Sequence, residues 1–178
     1  IIQCIYNWID LEGFRPRECS EFREVLGLKN QFVVLGIAMS WIPLKGIDIF
    51  HTLADLLPEN CHIVLIGDDT VIEQKHPKIQ YVGTIHNADL LAQYYAIADV
   101  FVNPTVQETF GMTTAEAMAC GTPIIAYNGT ATPELVGRDE SCGFLVDKND
   151  AESYYKKILE IQKRDTKSLG EAARKRAE

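Results

Sequence analysis

The sequence predicts an α/β protein with a doubly wound, mostly parallel sheet of six strands and helices on both faces. Two observations support this class. Short apolar runs without polar alternation recur along the chain, which is typical of strands that are buried on both faces. Segments with helical spacing of apolar residues separate the runs, and strands that alternate with helices form parallel βαβ units. Ligands of such sheets bind beside the carboxyl ends of the strands.

The first half of the chain supplies three of these strands. The first apolar run is followed by an irregular loop over 38–45 and by a helix over 46–57, which Pro58 prevents from continuing. A short helical piece is expected at 70–75. The strands predicted in this half are 32–36, 62–67 and 79–83.

The second half repeats the alternation with three further strands. One helix carries Glu116 and ends at Gly121, where glycine is favoured after a helix end. The segment Thr132-Pro133 needs no functional interpretation, because an N-cap residue followed by proline is common at the start of a helix. The predicted strands are 100–102, 123–127 and 143–146, and the other predicted helices are 89–98, 150–162 and 168–177.

Composition narrows the class of protein. The 178 residues are 47% apolar and 24% charged, which predicts one soluble globular domain with a sizeable core. The net charge is −8, and no basic patch with interleaved aromatic residues is present, so nucleic acid is not an expected partner. No segment has the length of a membrane span or the pattern of a signal peptide. The expected location is the cytoplasm.

The cysteines and histidines predict neither disulfides nor a metal site. Five cysteines, an odd number, form no CxxC pair, so reduced thiols are expected. The four histidines lack metal-ligand spacing. The chain opens without an initiator methionine, and we expect it to be a piece of a longer protein that consists of one domain over 1–178, with a segment from an interdomain linker over 1–30.

Glu108 and Glu116 form the most informative pattern in the chain. Glu108 lies in a predicted loop, whereas Glu116 lies in a helix otherwise made of Thr, Ala, Met and Cys. A surface helix normally carries several charges, so Glu116 is expected to be buried. A buried carboxylate needs donors, and a sugar or ribose diol supplies two hydroxyls. This predicts a polyol-bearing ligand; the alternative is a core acid satisfied by backbone groups.

Lys45-Gly46 stands where a loop enters a helix. Free N–H groups and the helix dipole attract anions there, and the Lys45 ammonium adds a positive charge, so phosphate is the expected ligand. The alternative is a solvent-exposed lysine. GxGxxG and P-loop patterns are absent, which argues against a dinucleotide cofactor and against phosphoryl transfer of that type.

Two further loops follow predicted strands. Thr84 and Ile85 could pair through their backbone with the edge of a base. The second loop leads into the Glu116 helix, and its backbone N–H groups could face an anion or a sugar hydroxyl, with glycine allowing close approach. The alternative there is an ordinary loop-to-helix junction with threonine as N-cap. The residues of this second loop are Phe110, Gly111, Met112 and Thr113.

Several segments together carry a family likeness. In chain order they are 5–10 with Phe14 and Pro16, 45–48, 98–105, 108–111, 116–123, 133–136 and 143–146. The glutamates at positions 108 and 116 match an EX7E signature. On these segments, the chain resembles the C-terminal, donor-binding half of GT-B glycosyltransferases of the family 4 (group 1) kind, which has a Rossmann-like fold. The likeness runs along nearly the whole length.

The resemblance implies a nucleoside diphosphate sugar as donor, UDP- or GDP-linked, and a hexosyltransferase that retains anomeric configuration. Lys45 would hold the diphosphate, Glu116 the ribose hydroxyls, and Glu108 would face the donor sugar as the catalytic residue. Residues Phe110 to Thr113 would contact sugar and phosphate, and Thr84 with Ile85 would sit against the base. No metal or other cofactor is implied.

The remaining expectations concern the whole enzyme. The acceptor, a glycan or glycolipid, would be bound mainly by the missing N-terminal domain, so the fragment is expected to bind donor without turnover. Polysaccharide or glycolipid assembly is the expected process, with a cytoplasmic or peripheral inner-membrane location. The alternatives are a UDP-sugar 2-epimerase, a glycogen synthase, or a non-catalytic nucleotide-sugar-binding module.

One position departs from the family pattern. The family commonly has an arginine directly after the glycine that ends the first strand, whereas here Gly36 is followed by Ile37. Loss of a charge-assisted contact worth roughly 1.5–3 kcal/mol predicts weaker donor affinity. The loop to Lys45 also reads as slightly longer, and Ser40 and Trp41 in it could hold the donor differently.

Overall fold

The computed structural model describes residues 3 and 5–178, and it contains a six-stranded sheet in the order β3-β2-β1-β4-β5-β6. All neighbouring strands are parallel, which confirms the predicted doubly wound sheet. The strands are β1 (Phe32–Ser40), β2 (Cys61–Asp68), β3 (Ile79–Gly83), β4 (Val100–Asn103), β5 (Ile124–Tyr127) and β6 (Gly143–Val146).

The helices lie on both faces of this sheet. Buried residues of α2 and α6 pack on one face, and those of α3, α4 and α5 pack on the other, while α7 contributes Leu169 to the first cluster and Ala173 to the second. The helices are α1 (Ser20–Val25), α2 (Ile47–Leu56), α3 (Ala88–Ile97), α4 (Met112–Ala119), α5 (Thr132–Val136), α6 (Ala151–Ile161) and α7 (Thr166–Ala177), with a single 3-10 turn at Pro43–Lys45.

Strand β1 is longer than the sequence predicts. The strand was expected to end at Gly36, but it continues to Ser40, which pairs with Asp68 of β2. Gly36 is an interior glycine because an added Cβ would lie 2.5 Å from Phe50 Cζ. The predicted irregular loop over 38–45 is therefore wrong in its first part. Ile37 lies inside the strand, opposite Ile66, so position 37 is not the strand end where a phosphate-binding cation would stand.

The helical piece predicted at 70–75 is also wrong, because this segment forms turns. Asp68 Oδ1 accepts hydrogen bonds from the Thr70 N–H (3.0 Å) and hydroxyl (2.6 Å). Side chains that bond the nearby backbone in this way compete with helix formation. These bonds, the Thr70 hydroxyl first, hold the pKa of Asp68 below its ordinary value.

The N-cap predicted at Thr132 is wrong, and so is the alternative that made Thr113 an N-cap. Helix α4 begins at Met112 after Gly111, so Thr113 lies within the first turn rather than at the cap. In α5 the N-cap is Ala131, and Thr132 is the first helical residue, before the proline. The short helix α1 was not predicted from the sequence.

An N-terminal segment (residues 5–19) runs over α4 and is joined to α7 by one arginine. Arg174 donates hydrogen bonds to the carbonyls of Phe14 (2.8 Å) and Ala119 (2.9 Å). Helix α7 also approaches the end of α4 closely, since a Cβ on Gly170 would lie 2.1 Å from the Gly121 carbonyl oxygen. The segment, α4 and α7 therefore form one packed unit.

The cysteines of the described residues are free thiols, at Cys19, Cys61, Cys120 and Cys142. Burial raises the pKa of Cys120 to about 12. Cys4, with Ile1 and Ile2, lies outside the described residues, so the expectations for it stay predictions. Among residues 3 and 5–178, no helix has both the length and the apolar character that a membrane crossing requires.

Candidate functional site

The loops that follow β1 and β4 meet at the point where the strand order reverses. In parallel doubly wound sheets, this switch point opens a crevice at the carboxyl ends of the strands. Lys45 Nζ lies 3.7 Å from Glu108 Oε1 across the crevice. Gly46 contacts the loop after β4, because a Cβ there would lie 2.3 Å from Pro104 Cγ. The structure thus brings together Lys45, which is predicted to bind a phosphate, and Glu108, which is predicted to face the reacting sugar.

Two amide side chains, of Asn103 and Asn149, hold the loop after β4 in place. Asn103 Nδ2 donates to Thr114 Oγ1 of α4 (3.0 Å), and Asn103 Oδ1 accepts from the Thr105 N–H (3.1 Å). From the other side, Asn149 Nδ2 donates to the Pro104 carbonyl (3.0 Å). Since these bonds join the loop to α4 and to the start of α6, they fix the path of the chain that leads to Glu108.

Glu108 itself is positioned by a residue with unusual backbone geometry. Its backbone N–H donates to Thr130 Oγ1 (3.0 Å), and Thr130 has a φ of +50°. A β-branched residue is rarely found in this left-handed region, and such strain often occurs at functional sites. The loop after β5 thereby contributes to the position of Glu108, which the sequence had not indicated.

Two helices begin at this crevice without a capping side chain. Asn87 caps α3, whereas α2 and α4 begin after Gly46 and Gly111, with φ of +79° and +96°. Among the described residues, no side chain accepts a hydrogen bond from the first N–H groups of α2 or α4. Uncapped N–H groups and the helix dipole favour an anion at each of these ends. The Lys45 ammonium adds positive charge beside α2.

Glu116 borders a cleft of about 400 Å³ between α4 and the N-terminal segment. The Tyr95 hydroxyl donates to Glu116 Oε2 at 2.8 Å, so the partner of this acid is a side chain and not backbone groups. Within the described part of the chain no donor reaches Oε1, and this atom is not among the fully buried unpaired atoms. Burial raises the pKa of Glu116, and the Tyr95 hydrogen bond partly opposes it. The cleft is lined by Asn7, Trp8, Ile9, Asp10, Phe14, Met112 and Glu116.

The predicted site residues fall into three groups. Lys45 and Glu108 meet at the crevice, and Phe110 to Thr113 lead from it into α4, the helix that carries Glu116. Thr84 and Ile85 follow β3, at the edge of the sheet, with β2 between β3 and β1. Thr84 is exposed, and Ile85 packs on the core beneath α3. Their role in base binding stays a prediction.

Sequence reasoning missed Tyr95 and Trp8. Tyr95 lies in α3, where an aromatic residue at helical spacing reads as core, and nothing in the sequence points it toward Glu116. Trp8 is 81% exposed and lines the Glu116 cleft. An exposed tryptophan beside a cleft is typical of a contact surface, but exposure is not visible in an isolated irregular segment.

The described residues contain no group of three or more His, Cys, Asp or Glu side chains arranged to hold a metal ion. The expectation that the site works without metal stays a prediction. The positive charges at the crevice are those of Lys45 and the two helix ends.

Comparison with known proteins identifies the family of this chain. Residues 29–164 match the family described as glycosyl transferases group 1. Because the match covers most of the chain, the chain belongs to this family. The resemblance noted from the EX7E segments is therefore confirmed.

Individual relatives are similar in sequence over nearly the whole chain. The chain is 30% identical to the sulfoquinovosyl transferase SQD2 of Arabidopsis thaliana, over 96% of the chain and 35% of that protein. It is 28% identical to the D-inositol 3-phosphate glycosyltransferase of Mycolicibacterium gilvum, over 97% of the chain and 41% of that protein. The chain thus spans less than half the length of these relatives.

A solved structure shares the fold over nearly the whole chain. Anabaena HepE, whose crystal structure contains UDP and glucose, superposes with a TM-score of 0.85 at 25% identity. The superposition covers 97% of this chain and 51% of HepE. HepE has also been solved with UDP-glucose and with UDP.

Proposed function

We propose that this chain is the donor-binding domain of a retaining glycosyltransferase and that it binds a nucleoside diphosphate sugar. The observation that carries the proposal is the crevice beside the loops after β1 and β4, where Lys45 lies 3.7 Å from Glu108 and where α2 and α4 begin without a capping side chain. The negative charge of a diphosphate matches the positive charge of Lys45 and of the two helix ends. The group beside the Glu108 carboxylate should then be uncharged, as a sugar is. The HepE complexes with UDP and UDP-glucose support the same ligand class.

Each candidate residue has a distinct task in this proposal. Lys45 and the N-terminus of α2 meet the charge that develops on the leaving diphosphate, which lowers the barrier without a metal ion. The backbone from Gly111 to Thr113 at the start of α4 contacts phosphate and sugar. Glu108 faces the donor sugar at the reacting centre. Thr84 and Ile85 place the base.

Glu116 binds the ribose. Its Oε1 is free to accept a hydroxyl hydrogen bond, while Oε2 is occupied by Tyr95. Glu108 and Glu116 are not a hydrolase pair, since that chemistry needs two carboxylates that flank one glycosidic bond. In this proposal Glu108 faces the crevice and Glu116 faces the cleft beside the N-terminal segment, with the nucleotide extending between them.

The acceptor belongs to a part of the enzyme outside this chain. We propose that the acceptor is a glycan or glycolipid and that a second domain binds it, because this chain spans 35% and 41% of its two relatives. The chain alone is then expected to bind donor without turnover. UDP is the first choice of nucleotide, and GDP the alternative.

The test is calorimetric titration with UDP, GDP and ADP, first without metal and then with Mg²⁺. Metal-free binding of one diphosphate, weakened by Glu116→Ala, is the expected result. Glu59→Ala removes an exposed acid just before β2, at the opposite end of the sheet, and serves as the matched control. Unchanged binding in Glu116→Ala would show that the ribose assignment is wrong, and no binding by the wild-type chain would contradict the donor-domain proposal.

A further inference from the structure

We infer that Tyr95 is a positioning residue for donor binding: its hydroxyl holds Glu116 Oε2 so that Oε1 presents a fixed acceptor to the ribose diol. The inference rests on the proposed function. Tyr95 is not expected to touch the nucleotide, and its effect passes through the Glu116 carboxylate alone.

The tyrosine is held rigidly enough for this task. Its side chain is completely buried, and its ring makes edge contacts with Phe14 (centroids 6.0 Å apart) and Phe101 (5.7 Å). Its backbone carbonyl accepts from Thr122 Oγ1 at 2.7 Å, which ties this end of α3 to the chain after α4. A phenol in such packing keeps one orientation, so its hydroxyl is a fixed donor.

The two oxygens of the Glu116 carboxylate have different partners. A buried hydroxyl needs a partner, and Glu116 Oε2 is the acceptor at 2.8 Å. A free glutamate side chain would lose rotamer freedom when a ligand orders it, and this loss opposes binding. Because Tyr95 has already ordered Glu116, the ribose meets a carboxylate whose remaining oxygen faces the cleft.

Protonation gives the pair a measurable signature. Burial raises the pKa of Glu116, and the Tyr95 hydrogen bond lowers it, so loss of the hydroxyl should raise it further. The other titratable groups nearby are Cys120, whose pKa of about 12 keeps it a neutral thiol, Arg17 and Arg174, which act on Cys120, and Asp10 in the cleft wall. None of these replaces the missing donor.

The first experiment compares Tyr95→Phe with the wild-type chain in titrations with UDP, or with whichever diphosphate binds tightest. The variant keeps the ring and loses only the donor. Removing a hydrogen bond to a charged group should weaken binding about tenfold. Tyr94→Phe is the matched control, since Tyr94 is the neighbouring buried tyrosine of α3 and packs on Phe22 instead.

The second experiment separates positioning from general structural damage. The 2′,3′-dideoxy form of the same diphosphate lacks the diol, so Tyr95→Phe and wild type should bind it equally. In Tyr95→Phe, the loss of affinity for the normal diphosphate on acidification should begin at a higher pH, because Glu116 protonates earlier. Thermal unfolding with and without ligand establishes that each variant is folded.

The outcomes distinguish this inference from the proposed function. If Glu116→Ala weakens binding but Tyr95→Phe does not, the role of Tyr95 is overturned and the ribose site stands. Equal losses for the normal and dideoxy ligands, with an unshifted pH profile, would also overturn it. If Glu116→Ala changes nothing, the ribose site itself fails, and the role of Tyr95 fails with it.

Discussion

Replacing Glu108 by glutamine should tighten diphosphate binding to this chain, and in the full-length enzyme it should abolish sugar transfer. In the ligand-free protein, Glu108 competes for the cation that the diphosphate needs, because its carboxylate lies 3.7 Å from Lys45 Nζ. Glutamine has nearly the same shape and carries no charge. The variant therefore frees Lys45 and leaves unchanged the bonds that hold the loop after β4 to Asn103 and Thr130. A purely catalytic Glu108 with no contact to Lys45 would give no gain in affinity.

The size of the gain follows from the exposure of the pair. The Lys45 and Glu108 side chains are 30% and 16% exposed, so solvent screens most of their Coulomb attraction. Partly exposed ion pairs have a net value of up to about 1 kcal/mol. Releasing the pair should strengthen diphosphate binding by about that amount, or about fivefold.

The assay is a double-mutant cycle in calorimetry at low ionic strength. Glu108→Gln should gain affinity, Lys45→Met should lose it, and the double variant should bind no better than Lys45→Met. Asp48→Asn is the control for charge alone, because Asp48 is exposed in the first turn of α2 and makes no ion pair with Lys45. A fall in affinity in Glu108→Gln, or equal gains in it and in Asp48→Asn, would refute the competition between Glu108 and the diphosphate.

Three further variants test how residues in and around the site contribute to the stability of the fold. Thr130→Val should lower the free energy of unfolding by about 1 kcal/mol relative to Thr130→Ser in urea titrations, because only serine keeps the hydroxyl that accepts from the Glu108 N–H; equal values would contradict this. Glu116→Gln should become more stable relative to wild type as pH rises. A raised folded-state pKa stabilises wild type below the ordinary pKa, and this advantage is lost as pH rises through the raised value; a pH-independent difference in urea unfolding would show the burial effect to be absent. Gly67→Ala should cost about 3 kcal/mol or more in thermal unfolding, since its Cβ would lie 1.9 Å from the Ala38 carbonyl oxygen at a φ of +134°; a near-wild-type melting temperature would refute the close approach.

Local patterns were enough to predict the sheet, because the central strands are buried on both faces and are therefore apolar runs. They failed where a distant contact decides the structure. Gly36 looks like a strand end in isolation, but it is interior because Phe50 of α2 packs against it. The segment 70–75 has helical spacing, but side-chain bonds from Asp68 to Thr70 favour turns.

At the candidate site, too, local patterns predicted some residues, while contacts between distant residues decided the rest. Glu116 was predicted because a lone charged residue in an apolar helix is unusual, whereas the roles of Lys45 and Glu108 follow from the family resemblance. The contact between Lys45 and Glu108 depends on β1 and β4 being neighbours, which follows from strand order and not from spacing along the chain. Tyr95 was missed because a core aromatic residue and a positioning residue have the same local sequence pattern.

The packing of the N-terminal segment and α7 against α4 sets the limits of a shortened chain. The family match covers 29–164, but Phe14, Gly170 and Arg174 lie outside it and contact Tyr95, Gly121 and the carbonyl of Ala119. A fragment trimmed to the matched residues would keep all six strands and expose one side of the helix that carries Glu116. The sheet alone is therefore not the minimal binding unit, and shortened forms for expression or crystallisation should retain residues 5–178.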